Sequence, residues 1–264
     1  AAFNAKYFDA ATGKYGSGSQ ASYACALFAG LVPEEKVELA VDNLVKAVET
    51  RDWHLSTGEV GLRQMFAALG KYGRSDVVYK MAVNKTMPSY GYFIENNATS
   101  LPEFWDMSMS QNHCMMGHIK EWFYKHLAGM DKASPGFKEI VVKPYVPDDM
   151  DWVKAFTMTS YGVLSSAWEK GDGGSLTMTV TIPVGTTADI YVPDMGIGDT
   201  RVRVNGQMVT GVLKDGYLLL KDCGSGDYVI ERIDPASQTL FAAKQAADAA
   251  LAAYTATNET DARS

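Results

Sequence analysis

The stretch MMGHIKEWFYKHLAGMDKASPGFKEIVVKPYV, residues 115–146, contains a change of period. Up to Leu127 the apolar residues recur as on a helix, with Met115, Ile119, Trp122, Phe123 and Leu127 sharing one face. Past Ser134-Pro135-Gly136 the period falls from 3.6 to 2, starting with Ile140 and Val142. Two architectures therefore stand in series, helical to about Met130 and β-sheet beyond.

Working back from this junction, the helical pattern repeats. Tyr23, Ala24, Leu27, Phe28 and Leu31 form one apolar face, closed by Gly30 and Pro33. Pro33 at the first helical position, followed by Glu34 and Glu35, opens a second helix with Val37, Val41, Leu44, Val45 and Val48 as its stripe. Leu62, Met65, Phe66 and Leu69 mark a third helix ending at Gly70 and Gly73. Ser75 is then placed as the N-cap of a fourth, with Val77, Val78, Met81 and Ala82. Between Thr86 and Ser110 no period is visible, and a loop of that length in a compact domain is usually functional.

Forward from the junction, about eight segments alternate, among them Phe156-Met158, Val163-Ser165-Ala167, Leu176–Ile182, Ile190-Val192, Val202-Val204, Tyr217-Leu219 and Tyr228-Ile230. Asn205-Gly206 and Asp215-Gly216 read as two-residue hairpin turns. From Asp234 on, FAAKQAADAALAAY favours helix but offers mostly alanine for packing, as in a solvated tail helix or a linker. The expected fold class is thus mixed α and β and multidomain, with domains at 1–133, 134–234 and 235–264.

Composition narrows the partner. A net charge of −7 and a pI near 5.1 argue against a nucleic-acid groove or an anionic membrane surface, both of which need a basic stripe. No apolar run reaches the roughly 18 residues of a membrane span. AAFNAKYFDA at the start lacks the basic and apolar regions of a signal peptide and reads as a cut through a longer chain. Cys25, Cys114 and Cys223 have no CxxC spacing and read as free thiols. His54, His113, His118 and His126 include no HExxH, so neither a metal nor another cofactor is signalled.

The long loop carries the chemistry. Glu95, Glu103 and Asp106 lie close to Tyr90, Tyr92, Phe93 and Trp105, and His113 follows at the start of the last helix. Rings stack on the C–H faces of a pyranose, and carboxylates bind hydroxyls and transfer protons, so the mixture suits a sugar.

The run GYFIENNATSLPEFWD, Gly91 to Asp106, is similar to the bacterial α-L-rhamnosidase signature GYxxExGATTxWERWD, with its two glutamates eight positions apart. Asn112-His113 and Gly117-His118-Ile119-Lys120-Glu121-Trp122-Phe123-Tyr124 resemble that family's NHYAFGSVGEWLY segment. Gly18-Ser19-Gln20-Ala21, Gly30 to Glu35, and His54-Leu55-Ser56-Thr57-Gly58 with Gly61 match in the same order. In the sheet region Pro135 to Lys138, Lys143-Pro144, Ser160-Tyr161-Gly162, Trp168-Glu169 and Ile182-Pro183 continue the likeness, which covers roughly residues 1 to 195.

The resemblance implies the C-terminal half of an (α/α)6 barrel, an antiparallel β-sandwich and a short C-terminal helix. It also implies an inverting glycoside hydrolase acting on terminal α-L-rhamnose in a rhamnose-containing glycoside or polysaccharide. Glu103 takes the general-base position and His113 lines the sugar subsite, with Glu95, Trp105, Asp106 and His54 as further substrate-binding candidates. The general acid lies upstream of Ala1 on this mapping, so the 264-residue chain alone is expected to be inactive. An open half-barrel edge would favour a homodimer. Four departures stand out: Pro102, Phe104 and Asn97 replace an aromatic, an arginine and a glycine of the signature, and the segment Phe104 to Asn112 is short. Two alternatives stay open, a non-catalytic carbohydrate-binding or structural module and another (α/α)6 sugar-processing enzyme.

Overall fold

The computed structural model describes residues 2–234 and, beyond them, only scattered positions as far as Tyr254. The Ala-rich segment read as a tail helix or linker therefore falls for the most part outside the described residues. The chain divides into two compact units, Ala1–Leu127 and Ala128 onward.

In the first unit, α1 (Ala2–Tyr7) leads into a small hairpin of β1 (Phe8–Asp9) and β2 (Lys14–Tyr15). The helices α2 (Gln20–Phe28), α3 (Val37–Glu49), α4 (Glu59–Lys71) and α5 (Ser75–Val83) follow. Ser19 caps α2 by accepting from the Ser22 N–H. The stripe of α3 buries Val41, Leu44, Val45 and Val48, and α4 buries Leu62, Met65, Phe66 and Leu69. α2 and α4 approach closely at Gly61, where a Cβ would stand 3.0 Å from that of Ala21. A larger residue there would push the helices apart.

Five local expectations are corrected. Pro33 does not start α3 but precedes a 3-10 turn, Glu34–Lys36, from which α3 begins at Val37. Ser75 is the first helical residue of α5 rather than its N-cap, and its hydroxyl accepts from the buried Trp122 Nε1 at 3.3 Å. The stretch 86–110 is not wholly irregular, since α6 (Tyr90–Glu95) forms within it. Ser89 caps that helix while donating to the Asn84 carbonyl, and Gly91 lets it sit against Asn84 where any Cβ would collide. The last helical segment is three turns of different pitch: 3-10 at Cys114–His118, α7 (Ile119–Trp122), and a π turn at Phe123–Leu127. The wide π turn rotates the apolar face, so Trp122 is buried while Phe123 is 42% exposed. Phe28 and Leu31 are likewise exposed rather than core.

The second unit is two sheets built from β3 (Met130–Lys132), β4 (Glu139–Val142), β5 (Trp152–Thr159), β6 (Gly162–Lys170), β7 (Leu176–Ile182), β8 (Thr187–Pro193), β9 (Arg201–Val204), β10 (Gln207–Thr210), β11 (Val212–Lys214), β12 (Tyr217–Cys223) and β13 (Gly226–Arg232). One sheet has the order β10-β9-β13-β7-β6-β5 and the other β11-β12-β8-β4-β3. Sheet structure thus begins at Met130, ahead of the Ser134-Pro135-Gly136 break. Pairing is antiparallel except for β4 with β8, strands separated by three others that serve the opposite sheet. In β7 Leu176, Met178, Val180 and Ile182 are buried while Thr177 and Thr179 face out. Asn205-Gly206 and Asp215-Gly216 occupy the two-residue turns with positive φ at every position, as type I′ geometry requires. Arg232 is buried among these strands, paired with Asp194 and donating to the Arg201 carbonyl.

Candidate active site

A cavity of about 750 Å³ opens in the helical unit. Its wall comes from three segments: residues between Arg51 and Glu59 where α3 passes into α4, Met87-Pro88 before α6, and Glu103 to Trp105 with Met115-Met116 after it.

The first segment is held by a buried side chain. Gln20 Nε2 donates to the carbonyls of His54 (2.9 Å) and Ala47 (3.3 Å), and its Oε1 accepts the Ser56 N–H at 2.8 Å. One amide thus satisfies three backbone groups that no helix or strand supplies. Asp52 and Trp53 take φ of 51° and 61°, a left-handed pair that turns the chain into the wall. The Asp52 carbonyl accepts from Asn84 Nδ2 at 3.1 Å. The Leu55 N–H reaches the Pro88 carbonyl at 3.3 Å and joins the second segment to the first.

The third segment closes on itself. The Glu103 N–H donates to the Ser110 carbonyl at 2.8 Å, the Ser110 N–H to Glu103 Oε2 at 3.3 Å, and the His113 N–H to the Leu101 carbonyl at 2.8 Å. Gln111 Nε2 binds the carbonyls of Met107 and Met109, whose φ values are also positive. The short link between Glu103 and His113 is therefore a tight loop that brings the two together. His113 Nδ1 stands 3.8 Å from Glu103 Oε2, and each side chain is 28% exposed. His113 Nε2 stands 3.0 Å from Glu59 Oε1, at the first residue of α4. The early position of Glu59 on α4 favours its charge at the positive end of the helix dipole.

Behind the carboxylates lies an aromatic floor. Trp105 stacks on Phe93 with centroids 5.2 Å apart and meets Tyr90 edge-on at 5.3 Å. The Tyr90 hydroxyl donates to the Met116 carbonyl at 2.6 Å, and burial pushes its pKa well above the ordinary phenol value. That phenol is a structural donor rather than a proton carrier.

Two family models match the chain. The bacterial alpha-L-rhamnosidase 6 hairpin glycosidase domain covers residues 1–127, and the bacterial alpha-L-rhamnosidase C-terminal domain covers residues 129–206. The chain belongs to the bacterial α-L-rhamnosidase family. An α-L-rhamnosidase of Streptomyces avermitilis is 30% identical over 238 residues, which is 86% of this chain and 22% of that protein. One from Formosa agariphila is 32% identical over 203 residues, 73% of this chain and 22% of its own length. The crystal structure of the Streptomyces avermitilis α-L-rhamnosidase complexed with L-rhamnose superposes with a TM-score of 0.79 at 29% identity, over 87% of this chain and 23% of that one. The chain thus spans about a fifth of the length of these relatives, and the fold expected of a six-hairpin glycosidase domain with a C-terminal sheet domain is the one observed.

Within this rhamnosidase-family chain, the predicted site residues do not all meet. Glu103, Trp105 and His54 line the cavity, and His113 touches Glu103 at its edge. His54 is held at both ring nitrogens, by the Arg51 carbonyl and the Thr86 hydroxyl, each at 2.8 Å. Glu95 is not in the cavity lining; it ends α6 and pairs with Lys85 at 2.7 Å on an exposed surface. Asp106 is not in the lining either. It accepts from the hydroxyl and N–H of Ser108, bonds that hold its carboxyl below the ordinary pKa, and so acts as a turn residue. The residue missed is Glu59. In the sequence it reads as one more early carboxylate of a helix, and only its proximity to His113 separates it from Glu34 or Glu38. Among the described residues, no group of three or more His, Cys, Asp or Glu side chains is placed to hold a metal ion. No helix among them is long and apolar enough to cross a membrane.

Proposed function

We propose that this chain supplies the general-base side of the active site of a glycoside hydrolase that releases terminal α-L-rhamnose with inversion. The observation that carries the proposal is the approach of His113 to Glu103, a carboxylate that lines the same cavity as the ring of Trp105. The relatives named α-L-rhamnosidases, and the one seen with L-rhamnose, supply the sugar.

In this reading Glu103 is the base. A base for inversion must reach a water molecule on the face of the sugar opposite the leaving group, and its carboxyl stands about 6.5 to 9.5 Å from the acid to leave room for that water. Glu103 keeps one side open to the cavity while the Ser110 N–H holds its carboxylate in place. Trp105, fixed from behind by Phe93 and Tyr90, offers a rigid ring for the C–H face of the sugar. His113 serves as a hydrogen-bond partner for a hydroxyl or for the base. Glu95 and Asp106, engaged elsewhere, have no direct part. A carboxylic acid from another part of the full-length protein protonates the leaving oxygen.

The test is Glu103→Gln in the full-length protein. The amide cannot take a proton, so kcat on an aryl α-L-rhamnoside should fall by about 10²- to 10⁴-fold with little change in the folded state. Turnover close to normal would sink the assignment of the base. Proton NMR of the first-formed product reads the stereochemistry, and initial appearance of the β anomer is the expected result.

A further inference from the structure

Of the three carboxylates in the cavity lining, Asp52, Glu59 and Glu103, Glu59 meets the His113 ring at the nitrogen other than the one that faces Glu103. The imidazole lies between the two, with Nε2 at 3.0 Å from Glu59 and Nδ1 at 3.8 Å from Glu103. An ionised carboxylate only accepts hydrogen bonds, so in the neutral ring the proton belongs on Nε2, where the contact is short, and Nδ1 keeps its lone pair. The backbone N–H of His113 is tied to the Leu101 carbonyl at 2.8 Å, so the residue is anchored at its main chain and at the far end of its ring. Glu59 itself stands on the first turn of a 13-residue helix, a more rigid mount than the loop that carries Glu103.

We propose that Glu59 is a positioning residue. It holds His113 in the Nε2–H tautomer with the bare Nδ1 turned toward Glu103, so that Nδ1 receives the proton that Glu103 removes from water. The catalytic meaning of this step rests on the hydrolase reading above. An O–H bond of the attacking water breaks and its proton goes to a Glu103 oxygen. The electron pair of the water oxygen forms the new bond to the anomeric carbon. The glycosidic bond breaks, and its electrons leave on the aglycone oxygen, which takes a proton from the carboxylic acid of that reading. Once protonated, the Glu103 carboxyl is a donor that can close the 3.8 Å gap to the Nδ1 lone pair, and its proton then passes to Nδ1, giving an imidazolium between two carboxylates, each of which stabilises the charge. Loss of that proton to solvent restores the neutral ring. Glu59 is not the acid in this scheme, because its Oε1 is engaged by His113.

The experiment is nitrogen-15 NMR of the His113 imidazole in the full-length protein without substrate, at a pH where the ring is neutral. The wild type should show the Nε2–H tautomer as the dominant form. Glu59→Ala, at a side chain 59% exposed, should leave the fold intact and release the ring into a mixture of tautomers, whereas Glu59→Gln keeps an acceptor and should restore the wild-type signature. In turnover, Glu59→Ala should lower kcat about fivefold with KM little changed, the scale of a partly exposed ion pair, and Glu59→Gln should recover part of the loss. A wild-type Nδ1–H tautomer, or unchanged nitrogen shifts in Glu59→Ala, would overturn the inference. Because the shifts are read without substrate, they stand apart from Glu103→Gln: normal turnover in that variant would remove the hydrolase reading and leave the tautomer result intact.

Discussion

The helical unit holds its backbone with side chains, and the sandwich holds its backbone with backbone. Around the cavity Gln20, Asn84, Ser89 and Gln111 each bond main-chain groups of irregular segments, and left-handed φ values occur at Asp52, Trp53, Met107 and Met109. In the sandwich the long ladders of β5 with β6 and of β7 with β13 satisfy the same groups, and left-handed residues cluster in turns such as Asn205-Gly206. A regular ladder repeats every two residues and presents the same geometry along its length. A site needs particular groups at particular points, and irregular backbone pinned by buried amides can supply them.

If the α-to-π change at Trp122 is what fixes the last helical segment, neighbouring aromatic residues should differ sharply. Trp122→Ala removes a fully buried ring and its bond to Ser75, and should lower stability by about 3 to 5 kcal/mol in urea unfolding. Phe123→Ala, at an exposed ring, should cost less than about 1 kcal/mol. Equal losses would show that the face is not rotated as described.

A second contrast is between a pinning amide and a ladder residue. Gln20→Ala takes from the Ser56 N–H and the His54 carbonyl the bonds of the side-chain amide, and leaves the Ala47 carbonyl only the Thr50 hydroxyl, at a cost of about 1 to 3 kcal/mol, and should speed hydrogen exchange at Ser56. Thr179→Ala, on the outward face of β7, should stay within about 0.5 kcal/mol. Comparable effects at the two positions would erase the difference between the units.

The smallest effect lies in the sandwich. Burial, together with Asp189 and Asp222, pushes the Cys223 thiol up to about 11 from an ordinary value near 9. A folded pKa above the unfolded one means that the folded state keeps its proton longer. The stabilisation is therefore fully present below pH 9 and is lost as pH rises toward 11. The urea midpoint should fall over that window, and Cys223→Ala should remove that part of the slope. Cys114, which is exposed, should be alkylated before Cys223.

Much of the fold was legible because it rests on period and turn chemistry. The stripe of α3, the alternation of β7 and the Asn-Gly and Asp-Gly turns are local patterns whose geometry follows from a few neighbouring residues. What failed was also local in origin but decided at a distance. Ser75 looks like a cap until Trp122 claims its hydroxyl, and α6 is hidden until Asn84 lies against Gly91. The same division runs through the site. Glu103, Trp105 and His113, singled out because they lie in one short segment beside aromatic residues, stand at or beside the cavity, whereas Glu95 and Asp106, chosen on the same grounds, face Lys85 and Ser108.

By itself the sequence determined the order of helical and sheet regions, their strand turns and a segment rich in carboxylates and aromatic rings, since these follow from the spacing of neighbouring residues. Only the tertiary structure decided which of those residues face one cavity, and that Glu59, more than fifty positions from His113, stands against its ring. Proximity between distant side chains is set by how helices pack and how loops are pinned, and α4 meets the loop after α6 through contacts that no local pattern records.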